Sequence, residues 1–281
     1  MVLLPEHLFG IAGKPLGHSL SPLLHNWAFQ EVGLPCVYMR WEIEKEDVPK
    51  FLDSVRILPI QGVSVTIPYK TAVMEYVDEL TPQAVQVGAV NTLFWKENLL
   101  CGDNTDVAGF LEPLKDCPKP ESALVLGAGG AALAVVAGLM MMGVKRIMVS
   151  ARRKGSAEEL INNTCPGARV IPWGDRGDVS ADLVINATPL GMQGDLQGSS
   201  PWPLDRDFPE ETGIVYDLVY NPLDTIFLRQ ARKSGCMSLS GLDMFLGQGA
   251  AQFALWTGEI MPLEGARTVL TDRLSSTGRT P

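Results

Sequence analysis

The sequence predicts an α/β chain of two domains with a cleft between them, and three observations carry that prediction. From about residue 120 onward, short apolar runs alternate with helical stretches, as in a parallel sheet covered on both faces. These runs lack strict polar alternation, which fits strands buried on both sides. The first hundred residues carry strands and helices of their own, enough for a separate α/β unit.

In chain order, residues 8–13, 37–42 and 62–66 read as strands, and 21–32 and 45–55 as helices. Pro49 lies inside the second helix and weakens it. Residues 106–115 form a joining helix. Then come strand 122–126, an apolar helix over 131–142 closed by Gly143, strand 146–150 and a helical piece over 157–162. Strands 182–186 and 214–218, helix 224–234 and strand 237–239 complete the alternation. Residues 191–203 are a Gly-, Ser- and Pro-rich loop. A last apolar helix, about 242–257, is expected to return to the first domain. The expected domains are therefore 1–105 plus 241–281, and 106–240, with a hinge at the two crossings. The tail after Leu274 is polar and is expected to fray.

Composition bounds the function. The chain has 281 residues, 46% hydrophobic and 20% charged, an ordinary globular balance. Its net charge of −9 argues against non-specific nucleic-acid binding, which needs clustered Lys and Arg. The five cysteines (Cys36, Cys101, Cys117, Cys165 and Cys236) are scattered and odd in number, which favours free thiols in a reducing cytoplasm. With only His7, His18 and His25 there is little material for a zinc site, and no metal is expected. No secretory leader is visible, and the most apolar stretch, 131–144, is too short to span a bilayer. The expectation is a cytoplasmic protein with a small-molecule substrate, no nucleic-acid or membrane partner, and a monomeric or homodimeric state.

Gly127-Ala128-Gly129-Gly130-Ala131-Ala132 matches GxGxxA directly between a strand and a helix. That context marks a Rossmann-type dinucleotide-binding turn. Gly127 permits the tight turn, Gly129 lets a pyrophosphate approach the backbone, and Ala132 lets helix and strand pack closely. The helix N-terminus offers free N–H groups to phosphate. An NAD site usually has Asp or Glu at the end of the next strand, to hold the ribose 2′-hydroxyl. Here the segment is Val149-Ser150-Ala151-Arg152-Arg153-Lys154, without an acid and with three cations. Guanidinium groups suit a 2′-phosphate, so NADP is favoured over NAD.

Four polar clusters occupy the front of the chain: residues 17–22 (GHSLSP), 64–70 (SVTIPYK), 88–92 (GAVNT) and 104–106 (NTD). Singly, each has a local explanation. Ser19 or Ser21 can cap the helix that follows, Thr66 can end a strand, Asn91 can sit in a turn and Asp106 can cap the next helix. His18 and His25 read as turn and helix residues with structural roles.

Taken with GAGGAA (127–132), NATPLGM (186–192) and GLDMFLGQ (241–248), these clusters resemble the shikimate dehydrogenase family, in order and spacing over nearly the whole chain. The resemblance implies a substrate domain and an NADP-binding Rossmann domain, and the reversible NADPH-dependent reduction of 3-dehydroshikimate to shikimate in aromatic amino acid biosynthesis. It implies that Ser19 and Ser21 bind the substrate carboxylate. Thr66, Asn91, Asp106 and Gln248 would bind ring hydroxyls, with Tyr220 close by. Lys70 and Asp106 match the family's catalytic pair. Gly127, Ala128, Gly129, Gly130 and Ala131 match the phosphate turn. Ala151, Arg152 and Arg153 fall at the NADP-selecting segment, and Thr188, Leu218 and Gly241 at further cofactor positions. The chain departs from the family's Asn-Arg-Thr there, with Ala151 for Asn and Arg153 for Thr.

These residue types suit the chemistry. Reducing a ketone develops negative charge on its oxygen, which a lysine can stabilise or protonate. A polyhydroxylated ring demands many directed hydrogen bonds, hence Ser, Thr, Asn and Gln. Two alternatives share much of this pattern: a quinate/shikimate dehydrogenase with relaxed substrate or cofactor choice, and a non-catalytic NADP-binding sensor. Intact Lys70 and Asp106 argue against the sensor.

Overall fold

The computed structural model of the protein describes residues 4–277. The chain divides into two compact units, Met1–Thr105 with Gln248–Pro281, and Asp106–Gly247.

Unit 1 runs β1 (His7–Gly13), α1 (Ser21–Val32), β2 (Cys36–Glu42), α2 (Val48–Ile57), β3 (Ile60–Val65), β4 (Glu79–Leu80), α3 (Pro82–Val87), β5 (Thr92–Lys96) and β6 (Leu99–Asp103). The sheet order is β2-β1-β3-β5-β6-β4. β1 pairs in parallel with β2 and β3, while β5 is antiparallel to both β3 and β6. The helix expected over 45–55 is a 3-10 turn, Lys45–Asp47, followed by α2. Pro49 starts that helix rather than weakening it, because a first-turn N–H has no partner to lose. The β5–β6 hairpin, β4 and α3 have no counterpart in the sequence reading. The hairpin turns through Glu97 at φ +56°, a left-handed conformation with no glycine to announce it.

Unit 2 runs α4 (Asp106–Leu111), β7 (Ser122–Leu126), α5 (Gly130–Met141), β8 (Arg146–Ala151), α6 (Lys154–Thr164), β9 (Arg169–Pro172), β10 (Leu183–Asn186), β11 (Ile214–Asp217), α7 (Ile226–Lys233) and β12 (Met237–Ser240). The helix predicted over 106–115 gives way to a 3-10 turn after Leu111, and β9 is an addition to the expected strands. All six strands are parallel, in the order β12-β11-β10-β7-β8-β9. The order reverses beside β7, the switch point at which such sheets bind ligands. Alternate strand residues serve two cores. Ala123, Val125, Leu183, Ile185, Ile214 and Tyr216 pack with the α5 and α6 side, and Leu124, Leu126, Val184 and Val215 with Phe227 and Ala231 of α7. Both faces are therefore dry, which explains the apolar runs.

The chain continues into α8 (Gly241–Thr257) and α9 (Leu263–Thr277). The division between units falls within α8 rather than at its first residue. Its second half packs in unit 1. The Trp256 ring occupies the space that a Cβ on Gly62 would need, and its Nε1 donates to the Leu93 carbonyl (2.9 Å). α9 runs through residues 275–277, where fraying was expected, and residues 278–281 lie outside the described residues. Among the described residues, no helix is long and apolar enough to cross a membrane, and no cluster of three His, Cys, Asp or Glu side chains is placed to hold a metal.

Candidate active site

In unit 2 the strand register builds the site. Leu126 pairs with Ser150 and Asn186, Asn186 with Asp217, and Asp217 with Ser240. The residues just past this row, Gly127, Ala151, Ala187, Leu218 and Gly241, therefore stand side by side at the C-terminal edge of the sheet. Sequence reading had selected four of these five positions without knowing the register.

The glycine turn is shaped as its sequence demands. Gly127 has φ +116°, and a Cβ there would lie 2.8 Å from the Ala187 carbonyl oxygen, so conformation and space both require glycine. Its N–H donates to the Ser150 carbonyl (2.8 Å), tying the turn to β8. Apart from the adjoining backbone, no atom lies within 4 Å of the Cβ position of Gly129 or Gly130, so this face is open to a ligand. No side chain caps the N-terminus of α5, which leaves first-turn N–H groups for an acceptor. Ala128 and Ala131 flank the opening. The residues present thus fit a dinucleotide pyrophosphate.

Arg152 and Arg153 follow β8 and are exposed; among the described residues neither has an ion-pair partner. Farther along the edge, Asn186 orients Thr188. Its Oδ1 accepts from the Thr188 N–H (2.9 Å) and hydroxyl (2.7 Å). Asn186 in turn donates to Asp217 Oδ1 (2.8 Å), which also accepts from Val219 N–H (3.0 Å), while Asp217 Oδ2 accepts from Thr225 (2.6 Å). Gly241 is needed because a Cβ would overlap the Leu218 carbonyl. Tyr220 stacks on Phe245, with ring centroids 4.8 Å apart.

Asp217 is fully buried, and burial pushes its carboxyl up to about 6 against the pull of those three donors. An unfolded Asp titrates near 3.9. The folded state therefore holds the proton more tightly, and the associated stability, present below about pH 4, is lost as pH rises through about 6. The full change is about 3 kcal/mol. Asp217→Asn cannot ionise, so its stability relative to wild type should rise by that order between about pH 4 and pH 7. Urea unfolding at several pH values checks this; parallel curves for the two proteins would exclude it.

In unit 1 the front clusters meet around β3 and β5. Val65 N–H donates to the Asn91 carbonyl and Val90 N–H to the Lys70 carbonyl, each at 2.7 Å, so the segments carrying Thr66, Lys70 and Asn91 run side by side. Asn91 is buried, not a turn residue. Its Oδ1 accepts from Thr105 N–H (2.8 Å) and its Nδ2 donates to Thr105 Oγ1 (3.0 Å). Asn91 thereby anchors the residue preceding Asp106, which opens α4 in unit 2 and is 7% exposed. Neither Ser19 nor Ser21 caps α1, whose N-cap is Leu20 without a side-chain bond. Instead Ser19 Oγ accepts from Ser21 N–H (3.3 Å) and Arg40 holds the Ser19 carbonyl (2.7 Å). Gln248 lies on α8.

His25 is fully buried and stacks on Tyr38 (centroids 4.6 Å apart). Burial lowers its pKa to about 3, keeping the ring neutral, as suits a packing residue. Neither ring nitrogen has a partner of good hydrogen-bond geometry, and Gln252 beside it offsets only part of the burial.

Four buried polar side chains without a role in the sequence analysis tie these segments together: Ser64 and Gln252 in unit 1, Asn186 and Asp217 in unit 2. Asp217 had a signal, an acid closing the apolar run Ile214-Val215-Tyr216. Gln252 had one too, since it stands one helical turn after Gln248.

Comparison with known proteins covers nearly the whole chain. The "Shikimate dehydrogenase substrate binding domain" profile matches residues 11–93, and the "Shikimate 5'-dehydrogenase C-terminal domain" profile matches residues 241–271. The chain is 46% identical over 274 residues to a shikimate dehydrogenase (NADP(+)) of Maridesulfovibrio salexigens, covering 97% of this chain and 99% of that one. It is 48% identical over 276 residues to the Oleidesulfovibrio alaskensis protein of the same name, covering 97% and 98%. The crystal structure of Thermus thermophilus shikimate 5-dehydrogenase in complex with NADP(H) and shikimate matches with a TM-score of 0.85 at 38% identity, covering 95% of this chain and 99% of that one.

Proposed function

The chain belongs to the shikimate dehydrogenase family, and from that premise we propose that it catalyses the reversible NADP-dependent interconversion of 3-dehydroshikimate and shikimate, within chorismate-directed biosynthesis. The observation that carries this reading is the row Gly127, Ala151–Arg153, Thr188, Leu218 and Gly241 at successive strand ends. It supplies a phosphate turn, guanidinium groups for a 2′-phosphate and an ordered far edge, in a chain similar over 97% of its length to NADP(+)-named relatives.

NADPH, when bound, supplies the hydride. The phosphate turn and the first-turn N–H groups of α5 hold the pyrophosphate, and Arg152 and Arg153 hold the 2′-phosphate. Ser19 and Ser21 donate to the substrate carboxylate. Thr66, Asn91, Asp106 and Gln248 engage ring hydroxyls, and Tyr220 is a further substrate-binding residue. Lys70 donates to the carbonyl oxygen as negative charge develops there, and Asp106 orients the reacting hydroxyl. An unpaired buried donor costs about 1–3 kcal/mol, so a substrate lacking a hydroxyl is disfavoured. The five free cysteines support a cytoplasmic location, and the expected state is a monomer or homodimer.

Steady-state assays with shikimate and quinate, each with NADP+ and NAD+, test the reading. The expected result is the highest kcat/KM for shikimate with NADP+. A higher value for quinate would replace it with a quinate-directed enzyme, the relevant alternative given that Ala151 stands where the family has Asn.

A further inference from the structure

The segment that carries Ser19 and Ser21 is fastened at three points to β2, the outermost strand at one edge of the unit 1 sheet. Leu16 N–H donates to Glu42 Oε1 (2.8 Å), and the Ser19 carbonyl accepts from Arg40 Nη2 (2.7 Å). Asn26 brackets the Tyr38 backbone: its Oδ1 accepts from the Tyr38 N–H (2.8 Å) and its Nδ2 donates to the Tyr38 carbonyl (2.9 Å). Tyr38, Arg40 and Glu42 are alternate residues of one strand, so their side chains share a face. The two outer ties hold the segment on either side of the serines. Asn26 Nδ2 also donates to the Pro22 carbonyl (2.8 Å), next to Ser21, and Ser19 N–H donates to the Leu16 carbonyl (3.0 Å). The backbone here is thus held without Arg40. Arg40 is exposed and, among the described residues, has no ion-pair partner. What it adds at Ser19 is charge.

We propose that Arg40 supplies the positive charge of the carboxylate subsite, which makes it a specificity-determining residue for an anionic ring substituent. Ser19 and Ser21 are neutral groups. Ser19 Oγ accepts from Ser21 N–H (3.3 Å), which leaves its own proton for a substrate oxygen. A guanidinium bonded to the Ser19 carbonyl lies within about 7 Å of Ser19 Oγ by covalent geometry, and so within about 10 Å of a carboxylate oxygen bonded there. Ser21 is buried, so part of the path between the charges is not water and the attraction exceeds its value in bulk solvent. The neighbouring charges do not replace it. Lys14 pairs with Glu44, and the Glu42 carboxylate is bound at Leu16, three residues before Ser19.

The proposal rests on the shikimate reading, and the two separate in one experiment. Turnover of shikimate by the wild type tests the reading, and the ratio of variant to wild type tests Arg40. With NADP+ saturating, Arg40→Met is expected to raise KM for shikimate about 4-fold at about 0.02 M salt, where charges are screened only beyond about 20 Å. Values of kcat and of KM for NADP+ should change less than about 1.5-fold. At about 0.5 M salt, where screening sets in by about 4 Å, the variant and wild-type KM values for shikimate should converge to within about 1.5-fold. A displaced Ser19 backbone would instead leave their ratio the same at both salt concentrations. Arg40→Lys keeps the charge and should stay within about 2-fold of the wild type at low salt. An unchanged KM for shikimate in Arg40→Met at low salt, a ratio indifferent to salt, or an Arg40→Lys value equal to that of Arg40→Met would each overturn the proposal. If Arg40→Met does not fold, Arg40→Gln, which keeps a polar donor without the charge, is read in the same way.

Discussion

Lys70→Ala should lower kcat about 100- to 10,000-fold, the range spanned by a positioned proton donor or acceptor, with a much smaller change in KM for shikimate. The reason lies in when the interaction forms. The ketone oxygen is nearly neutral in the bound substrate and becomes alkoxide-like as hydride arrives, so a lysine donor matters most in the transition state. The backbone around Lys70 has bonds of its own: its carbonyl accepts from Val90 N–H, and Tyr69 N–H donates to the Thr66 carbonyl. The variant should therefore keep the wild-type circular dichroism spectrum. Lys70→Arg separates the two roles open to the lysine. Arginine keeps the charge but cannot give up its proton. Substantial recovery of kcat by Lys70→Arg would make the charge sufficient, with water carrying the proton. No recovery would make Lys70 itself the carrier. Undiminished kcat in Lys70→Ala would remove this residue from the mechanism.

The second large effect concerns cofactor choice. Arg152→Ala combined with Arg153→Ala should raise KM for NADPH about 100-fold, since each charge-assisted bond to a phosphate contributes about 1.5–3 kcal/mol before solvent screening. KM for NADH should change little, because that cofactor brings no 2′-phosphate. Both guanidinium groups are exposed and, among the described residues, have no ion-pair partner, so the substitution breaks no structural pair. The penalty should shrink as salt is added to the wild-type reference, as screening of exposed charges requires. Equal weakening of both cofactors would point to a general disturbance of the α6 start.

Much of this was legible in the chain, and the boundary of legibility is physical. Unit 2 is repetitive: its central strands β7, β8, β10 and β11 are apolar because both faces are covered, and β7, β8, β11 and β12 are each followed by an α-helix. Such a pattern survives being read one residue at a time. Unit 1 is not. The β5–β6 hairpin turns at Glu97-Asn98 without glycine, and β4 is two residues long. α9 carries no apolar run, and its Gly265 is there because Trp27 occupies the space a Cβ would need. Among site residues, those at strand ends or glycine turns were visible because local geometry restricts what can stand there. Gln252 shows in the sequence only by its spacing from Gln248, because its partners Thr92 and Ser64 lie 160 and 188 residues away along the chain. Nothing within a helical turn of it reveals what it binds.

The way the two units are threaded bears on how the protein is made. Residues 106–247 are a single stretch, so every strand of the parallel sheet has left the ribosome before α8 is complete. Unit 1 is begun first and finished last. Until residues 248–277 emerge, Gly62 lacks the Trp256 ring above it, and Ser64, Asn91 and Thr92 lack the amide that orders them. The nascent chain thus holds the whole sequence of the nucleotide unit while the first unit still lacks its last two helices, and loss of the C-terminal residues strikes the substrate side while leaving the nucleotide side its full sequence.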